Sequence, residues 1–307
     1  MPITHVRSVD LAVADLNQAR EFYSRCWGLE ELTHDAGALY LGAGCAESYT
    51  LRLRQANVPR VDLFSLAVDT AAEVEGYAER VADHPDATLL GEPKPRQERG
   101  GGFGFTFFDC DGRVVEVSAD LDLRTFREVE AGERRPRTIS HVVFNTRDLD
   151  RTRRFYESAL GFQVSDWVED FFCFLRTGRQ HHIVAFTSSR QTSLNHVSFE
   201  VRGLDEFMRA TGAMMRQGHR PLWGPGRHGA GDNTFSYFQD PGTGYVMEYT
   251  TALQQIDLEH GWTPKVYSAS PEETDQWGTA NPFDEVILAE MHGHTDPGLW
   301  TTPPRSL

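Results

Sequence analysis

The chain has few cysteines: Cys26, Cys45, Cys110 and Cys173 are scattered over 307 residues, and no two form a CxxC pair. This excludes a disulfide framework and a zinc ribbon, and it implies reduced thiols that serve as small core residues, as in a cytoplasmic protein. No apolar run approaches the ~20 residues of a membrane span. The chain enters a strand-like segment near His5 without a signal-peptide core. A cytoplasmic protein with no membrane partner is therefore expected. Positive charge is also scarce. The net charge of -15 argues against a nucleic-acid partner, because phosphate binding needs clustered Lys and Arg. The one basic cluster, Arg134-Arg135-Pro136-Arg137, lies among acids and reads as a solvated linker. The runs Gly100-Gly101-Gly102-Phe103-Gly104 and Gly224-Pro225-Gly226 lack the lysine and strand–helix context of a phosphate loop, and read as turns.

What remains is an ordinary globular composition, 39% apolar and 24% charged, long enough for two domains. Those two domains read as copies of each other. Residues Asp15 to Gly28 are DLNQAREFYSRCWG and residues Asp148 to Gly161 are DLDRTRRFYESALG, 133 residues apart. In each, Asp is placed to cap a helix that Gly closes. Ser8 to Val13 matches His141 to Thr146, and Leu63 to Val68 matches His196 to Val201. Helices follow near 71–83 and 204–217. Each copy ends in two strands across an Asp/Gly turn, 105–109 with 113–117 and 235–238 with 245–250. The expected layout is one domain over 1–122, a connector over 123–137, a second domain over 138–252 and an irregular tail over 253–307. Trp262, Trp277 and Trp300 in that tail imply that it packs on the body.

Period-2 alternation puts Tyr245, Met247 and Tyr249 on one strand face, and Val246, Glu248 and Thr250 on the other. Glu248 is then a carboxylate inside a strand that otherwise reads as buried, costing several kcal/mol unless a cation or donors meet it. Comparing the copies supplies partners. His141 falls on Ser8, His196 on Leu63 and Glu248 on Glu116, so two imidazoles and a carboxylate stand on three strands of one copy only. That is the facial set of non-haem Fe(II) oxygenases. A lone strand histidine is more often a core residue, but three ligand types at corresponding places favour a metal. Glu116, without such histidines, reads as structural or a relic.

These residues resemble the vicinal oxygen chelate superfamily and, within it, the two-domain type I extradiol ring-cleaving dioxygenases. The resemblance covers roughly residues 5 to 250. Ile139-Ser140-His141-Val142-Val143, Leu194-Asn195-His196-Val197-Ser198-Phe199-Glu200 and Val246-Met247-Glu248-Tyr249 look like its three ligand strands. It implies an α+β fold of tandem βαβββ modules forming two open, cupped sheets, with metal in the second only. His182, in His181-His182-Ile183-Val184-Ala185-Phe186, matches an active-site histidine. Gly226-Arg227-His228-Gly229 resembles the loop of another, and Tyr237 a substrate-contacting tyrosine. The turn between Tyr237 and Glu248 is one residue longer than the family's form.

The resemblance implies Fe(II), with Mn(II) as the alternative ion, a catechol and O2 as substrates, and a symmetric homo-oligomer. His182 would move a proton, His228 and Tyr237 would hold the substrate oxygens, and His181 would point the other way as an edge residue. The His228 loop and the Trp-containing tail look more like the branch that cleaves homoprotocatechuate. Competing readings are a glyoxalase-like isomerase or lyase, and a metal-free binder of aromatic ligands. His292-Gly293-His294 lacks a third ligand and is discounted as a metal site.

Overall fold

The computed structural model describes residues 3–35 and 37–296; Trp300 lies outside them. Two nine-stranded sheets make up the body. In the first, the strands His5–Val13 and Arg60–Ala67 run antiparallel at the centre, flanked by parallel neighbours Leu51–Gln55 and Val114–Ala119. The second repeats the plan. Thr138–Thr146 and Ser193–Glu200 form the central pair, with Val184–Ser188 and Val246–Thr251 parallel beside them. Each half follows the order strand, helix, three strands, twice over. The exception is the last unit of the first half, which adds the two-residue strand Lys94–Pro95. This is the expected architecture of tandem βαβββ modules.

Local sequence accounts for the helices. Ala71–Ala82 buries Val74, Tyr77, Ala78 and Val81, the i, i+3, i+4, i+7 stripe of an amphipathic helix. Thr70 and Glu73 close a reciprocal capping box at its start. Leu149–Leu160 is capped by Asp148, whose side chain accepts from the Arg151 N–H at 3.0 Å, and ends on Gly161 in the left-handed region at φ 74°. Its counterpart in the first half differs. After Leu16–Arg20 it winds as a π-helix over Glu21–Cys26, which buries Phe22, Tyr23 and Cys26 together.

Two readings need correction. Gly224-Pro225-Gly226 is no turn but part of the strand Trp223–Arg227, bulged in its pairing with Thr234–Gln239. A Cβ at Gly226 would come within 2.4 Å of the Phe235 ring, so the glycine lets that ring lie flat on the strand. The basic cluster is not simply solvated. Pro136 is buried and its carbonyl accepts from Gly44 N at 2.9 Å, while Arg135 pairs with Glu30 and Arg137 with Glu200. The connector is thereby clamped across the two halves.

The halves meet through aromatic rings. Trp27, fully buried, stacks on Tyr249 with centroids 3.7 Å apart, and the Tyr249 hydroxyl donates to the Trp27 carbonyl at 2.6 Å. Tyr249 sits one residue after Glu248, on the opposite face of the same strand. The face of the strand Val246–Thr251 that turns away from the candidate ligands thus anchors the second sheet to the first. Replacing Trp27 with alanine should cost about 3–5 kcal/mol of unfolding free energy. Urea titration would read this loss; an unchanged midpoint would show the stack to be dispensable.

Candidate metal centre

His141, His196 and Glu248 lie on the three adjacent strands Thr138–Thr146, Ser193–Glu200 and Val246–Thr251. Strand register explains why the three meet. His141 stands opposite Ser198, and Ser198 in turn opposite Glu248, while His196 stands opposite Val143. Their exposures are 3%, 3% and 0%. One ligand atom from each falls within 4.8 Å of the others. His141 Nε2 is 3.0 Å and His196 Nε2 3.4 Å from Glu248 Oε2, and the two Nε2 atoms are 3.4 Å apart.

Whether these residues suit a metal can be tested on their own geometry. Donors bound at ~2.0–2.2 Å and at right angles lie about 3 Å from one another, close to the spacings found. Neither Glu248 oxygen has a hydrogen-bond partner among the described residues, although both are buried. Burial pushes the Glu248 carboxyl up, yet the charge it would share with His141 and then His196 holds it well below the usual carboxylate range. Burial pulls His196 down in spite of Glu248, and it pulls His182 well below the ordinary imidazole range. Metal binding needs an ionised carboxylate and neutral imidazoles with lone pairs to offer, and burial favours the neutral form of His196. A divalent cation compensates that carboxylate without a proton on either imidazole. The donor set fits.

The other residues singled out in the sequence gather around this cluster. The His182 ring centroid is 4.3 Å from that of His141. Tyr237 stands directly opposite Glu248 in the strand Thr234–Gln239. The longer turn is absorbed at its tip, where Asp240 Oδ2 accepts from the Thr243 hydroxyl at 2.6 Å and Oδ1 from Gly242 N at 2.9 Å. His228 follows the strand Trp223–Arg227. Its Nδ1 lies 3.1 Å from the Thr274 carbonyl, which can only accept, so Nδ1 carries the proton. Nε2 is then free to accept from the Tyr237 hydroxyl at 2.9 Å. Burial lowers the His228 imidazole to about 4 and lifts the Tyr237 phenol well above its ordinary value, with Glu248 adding to the second effect.

His181 does not behave as an edge residue. It is fully buried, with Nε2 2.8 Å from Asp166 Oδ2 and Nδ1 2.9 Å from His182 Nδ1. The second oxygen of Asp166 accepts from Lys265 N at 2.7 Å, where the tail adds a ninth strand, Lys265–Tyr267. Asp166 only accepts, so His181 is protonated at Nε2, and its neutral form accepts at Nδ1. His182 then donates through Nδ1 and keeps Nε2 bare. Sequence reading missed Asp166, because nothing local marks an aspartate fifteen residues from its partner. His292-Gly293-His294 also has a different use: it docks the tail, with His294 Nε2 on the Thr243 carbonyl and His292 Nδ1 3.1 Å from the Ser189 hydroxyl.

Five of the candidate site residues border one cavity of about 530 Å³, and Glu248 touches two of them, His141 and His196. His141, His182, His196, His228 and Tyr237 form its polar end. Phe172, Phe174, Trp223, Phe283 and Leu288 line much of the rest, with Glu273 and Asp275 on the tail side, and among the described residues no Lys or Arg does. Tail residues from Ala269 to His292 form one wall. In the first half the same strand positions carry Ser8, Leu63 and Glu116. There Glu116 is met by Arg96 Nε at 3.0 Å and the Ser65 hydroxyl at 2.8 Å. Glu116 is thus not partnerless; an arginine takes the part of the cation. Purified chain should retain close to one divalent ion after dialysis. His196→Ala and Glu248→Ala should bring the content read by elemental analysis down to background, and retention in either variant would place the ion elsewhere.

The family profile described as the Glyoxalase/Bleomycin resistance protein/Dioxygenase superfamily matches residues 138–249, the stretch that holds all three candidate ligands. A structure titled as the Mn(II)-bound glyoxalase of Novosphingobium aromaticivorans is 36% identical, with a TM-score of 0.92 and 98% of each chain covered. Metapyrocatechase 2 of Cupriavidus necator is 29% identical over 64% of this chain and 66% of its own length. The manganese-dependent 2,3-dihydroxybiphenyl 1,2-dioxygenase of Geobacillus genomosp. 3 is 23% identical over 83% of this chain and 87% of its own. The chain belongs to the Glyoxalase/Bleomycin resistance protein/Dioxygenase superfamily.

Proposed function

We propose that this protein is an extradiol dioxygenase, which opens a catechol ring beside its two hydroxyls and places both atoms of O2 in a ring-opened semialdehyde or keto acid. The observation that carries the reading is the convergence of His141, His182, His196, His228 and Tyr237 on one largely apolar cavity, with Glu248 against His141 and His196. Fe(II), or Mn(II), held by His141, His196 and Glu248 would supply Lewis acidity and an electron path between catechol and O2.

The remaining residues have distinct tasks. His182, bare at Nε2, takes a catechol proton and later returns it where negative charge develops on oxygen. The Asp166–His181 pair holds it in that tautomer. His228 and Tyr237 act as one unit, because the hydroxyl donates to an imidazole fixed by the tail. Turning outward, that hydroxyl can instead donate to a substrate oxygen and orient the ring. The apolar walls exclude water and accept the ring. Lacking a cationic side chain among its described lining residues, the cavity suits an uncharged catechol better than the carboxylate-bearing homoprotocatechuate. The same reading places the enzyme in the cytoplasm, in keeping with four unpaired cysteines.

An isomerase is the second reading, favoured by the 36% identity to the chain titled a glyoxalase. Its chemistry would need neither O2 nor the paired His182 and His228. The two are separated by supplying Fe(II)-loaded protein with catechol, 4-methylcatechol, 2,3-dihydroxybiphenyl and homoprotocatechuate under an oxygen electrode, and with a glutathione hemithioacetal in parallel. Stoichiometric O2 uptake with a yellow product is expected for the uncharged catechols. Isomerisation of the hemithioacetal with no catechol consumed would overturn the proposal. His182→Ala should keep its metal and lose ~10²–10⁴-fold in turnover; full turnover would assign the proton transfer to another group. Asp166→Asn should lower kcat at least about tenfold with little change in KM, since the wrong tautomer leaves binding intact. An equal fall in metal content would point to plain structural damage.

A further inference from the structure

The environment of His196 extends well beyond its own strand. Its Nδ1 lies 2.7 Å from Asn195 Oδ1, and Asn195 Nδ2 lies 3.0 Å from Asn145 Oδ1. Asn145, fully buried, directs its own Nδ2 at the carbonyls of Met291 and His292, each at 3.0 Å, and at the Ser193 hydroxyl at 2.7 Å. Met291 ends the tail helix Glu285–Met291.

Each amide in this chain can be oriented by elimination. Backbone carbonyls only accept, so the Asn145 group facing Met291 and His292 is the NH2. Ser193 spends its hydrogen on the His292 carbonyl and so accepts from Asn145. Asn145 Oδ1 must then be what faces Asn195, which donates through Nδ2 and turns Oδ1 toward His196. His196 is thereby protonated at Nδ1, and its Nε2 lone pair points at Glu248 and His141. Two tail carbonyls, three hydrogen bonds away, determine which nitrogen of the candidate ligand is free.

We propose that Asn145 and Asn195 are positioning residues that transmit docking of the C-terminal helix to His196, so that metal affinity depends on the tail being seated. The inference rests on His196 being a ligand. Independent contacts show how closely the tail is fitted. Gln191 Nε2 donates to the carbonyls of His292 at 2.9 Å and Gly293 at 2.8 Å. Gly293, at φ 61°, lies so near the ligand strand that a Cβ there would come within 2.5 Å of the Leu194 carbonyl, two residues before His196. Ile287 and Met291 pack with Trp223, Phe235, Tyr237 and Val246 on the sheet that carries Glu248. The tail is therefore part of the candidate centre, and coupling between its docking and metal binding must run both ways.

Chelator competition with Mn(II) on the full-length chain tests this. Asn195→Ala removes the acceptor at Nδ1. Asn145→Asp sets a carboxylate against two carbonyls. Gly293→Ala pushes the tail off the strand while leaving the side chains of Asn145, Asn195 and His196 unaltered. Each should weaken Mn(II) binding by about 10- to 100-fold, the usual cost of losing a ligand's outer partner. In metal-free wild type, histidine-selective 15N spectra should show His196 protonated at Nδ1, and Asn195→Ala should mix the tautomers, a change that a loss of general stability does not produce. Mn(II) should also slow amide exchange at 291–293 in the wild type. Wild-type affinity in all three variants, or a wild-type His196 protonated at Nε2, overturns the inference while leaving the ligand set intact. A wild-type chain that binds no Mn(II) overturns the ligand assignment as well.

Discussion

An ionised carboxylate out of reach of water is the constraint to which the second half of the molecule is fitted. Glu248 is fully buried on a strand whose opposite face is committed to the aromatic contact between the halves. It can neither swing out to solvent nor exchange faces without breaking that contact, because a one-residue shift would invert every side chain on the strand. The imidazoles of His141 and His196 converge on the same point, and burial keeps His196 uncharged. Negative charge is thus held in place by packing, and two imidazoles are aimed at it. Attraction for a cation follows from the fold before any ion arrives.

Much of this could be read from the sequence because the chain contains its own comparison. Ser8, Leu63 and Glu116 hold the same strand-register positions as His141, His196 and Glu248, so differences between copies exposed the chemistry without reference to any other protein. The helices were legible because their caps and apolar stripes are local: Thr70 with Glu73, and Asp148 with Gly161. Contacts between distant segments were not legible. The partner of His181 is Asp166, on another strand, and the partners of Asn145 are carbonyls about 146 residues away. A carbonyl carries no residue identity, so no sequence pattern could report it. Gly224 to Gly226 misled for the related reason that glycine marks close approach as readily as a turn, and here an aromatic ring was what approached.

The tail is where the irregular part of the chain acquires a role. Its carbonyls fix two imidazoles, His228 through Thr274 and His196 through the asparagines, and its added strand supports Asp166. Two histidines around one cavity thus owe their proton positions to carbonyls of a segment with little regular structure, and a further pair, His181 and His182, leans on a carboxylate that the same segment's backbone holds. Such groups suit the task because a carbonyl or amide neither titrates nor changes its donor character, whereas a side chain can do both.

The arginine opposite Glu116 has a consequence for how the two halves behave as materials. Arg96 is a cation attached covalently to the sheet it neutralises, so the first cup carries its own counter-ion and stays charge-balanced in any solvent. The second cup borrows its cation from solution, and its balance varies with what the solution contains. One half is a permanent frame and the other a conditional one, joined by the stacked rings of Trp27 and Tyr249. The ion content of the medium therefore bears on the charge balance of one half and leaves that of the other unchanged.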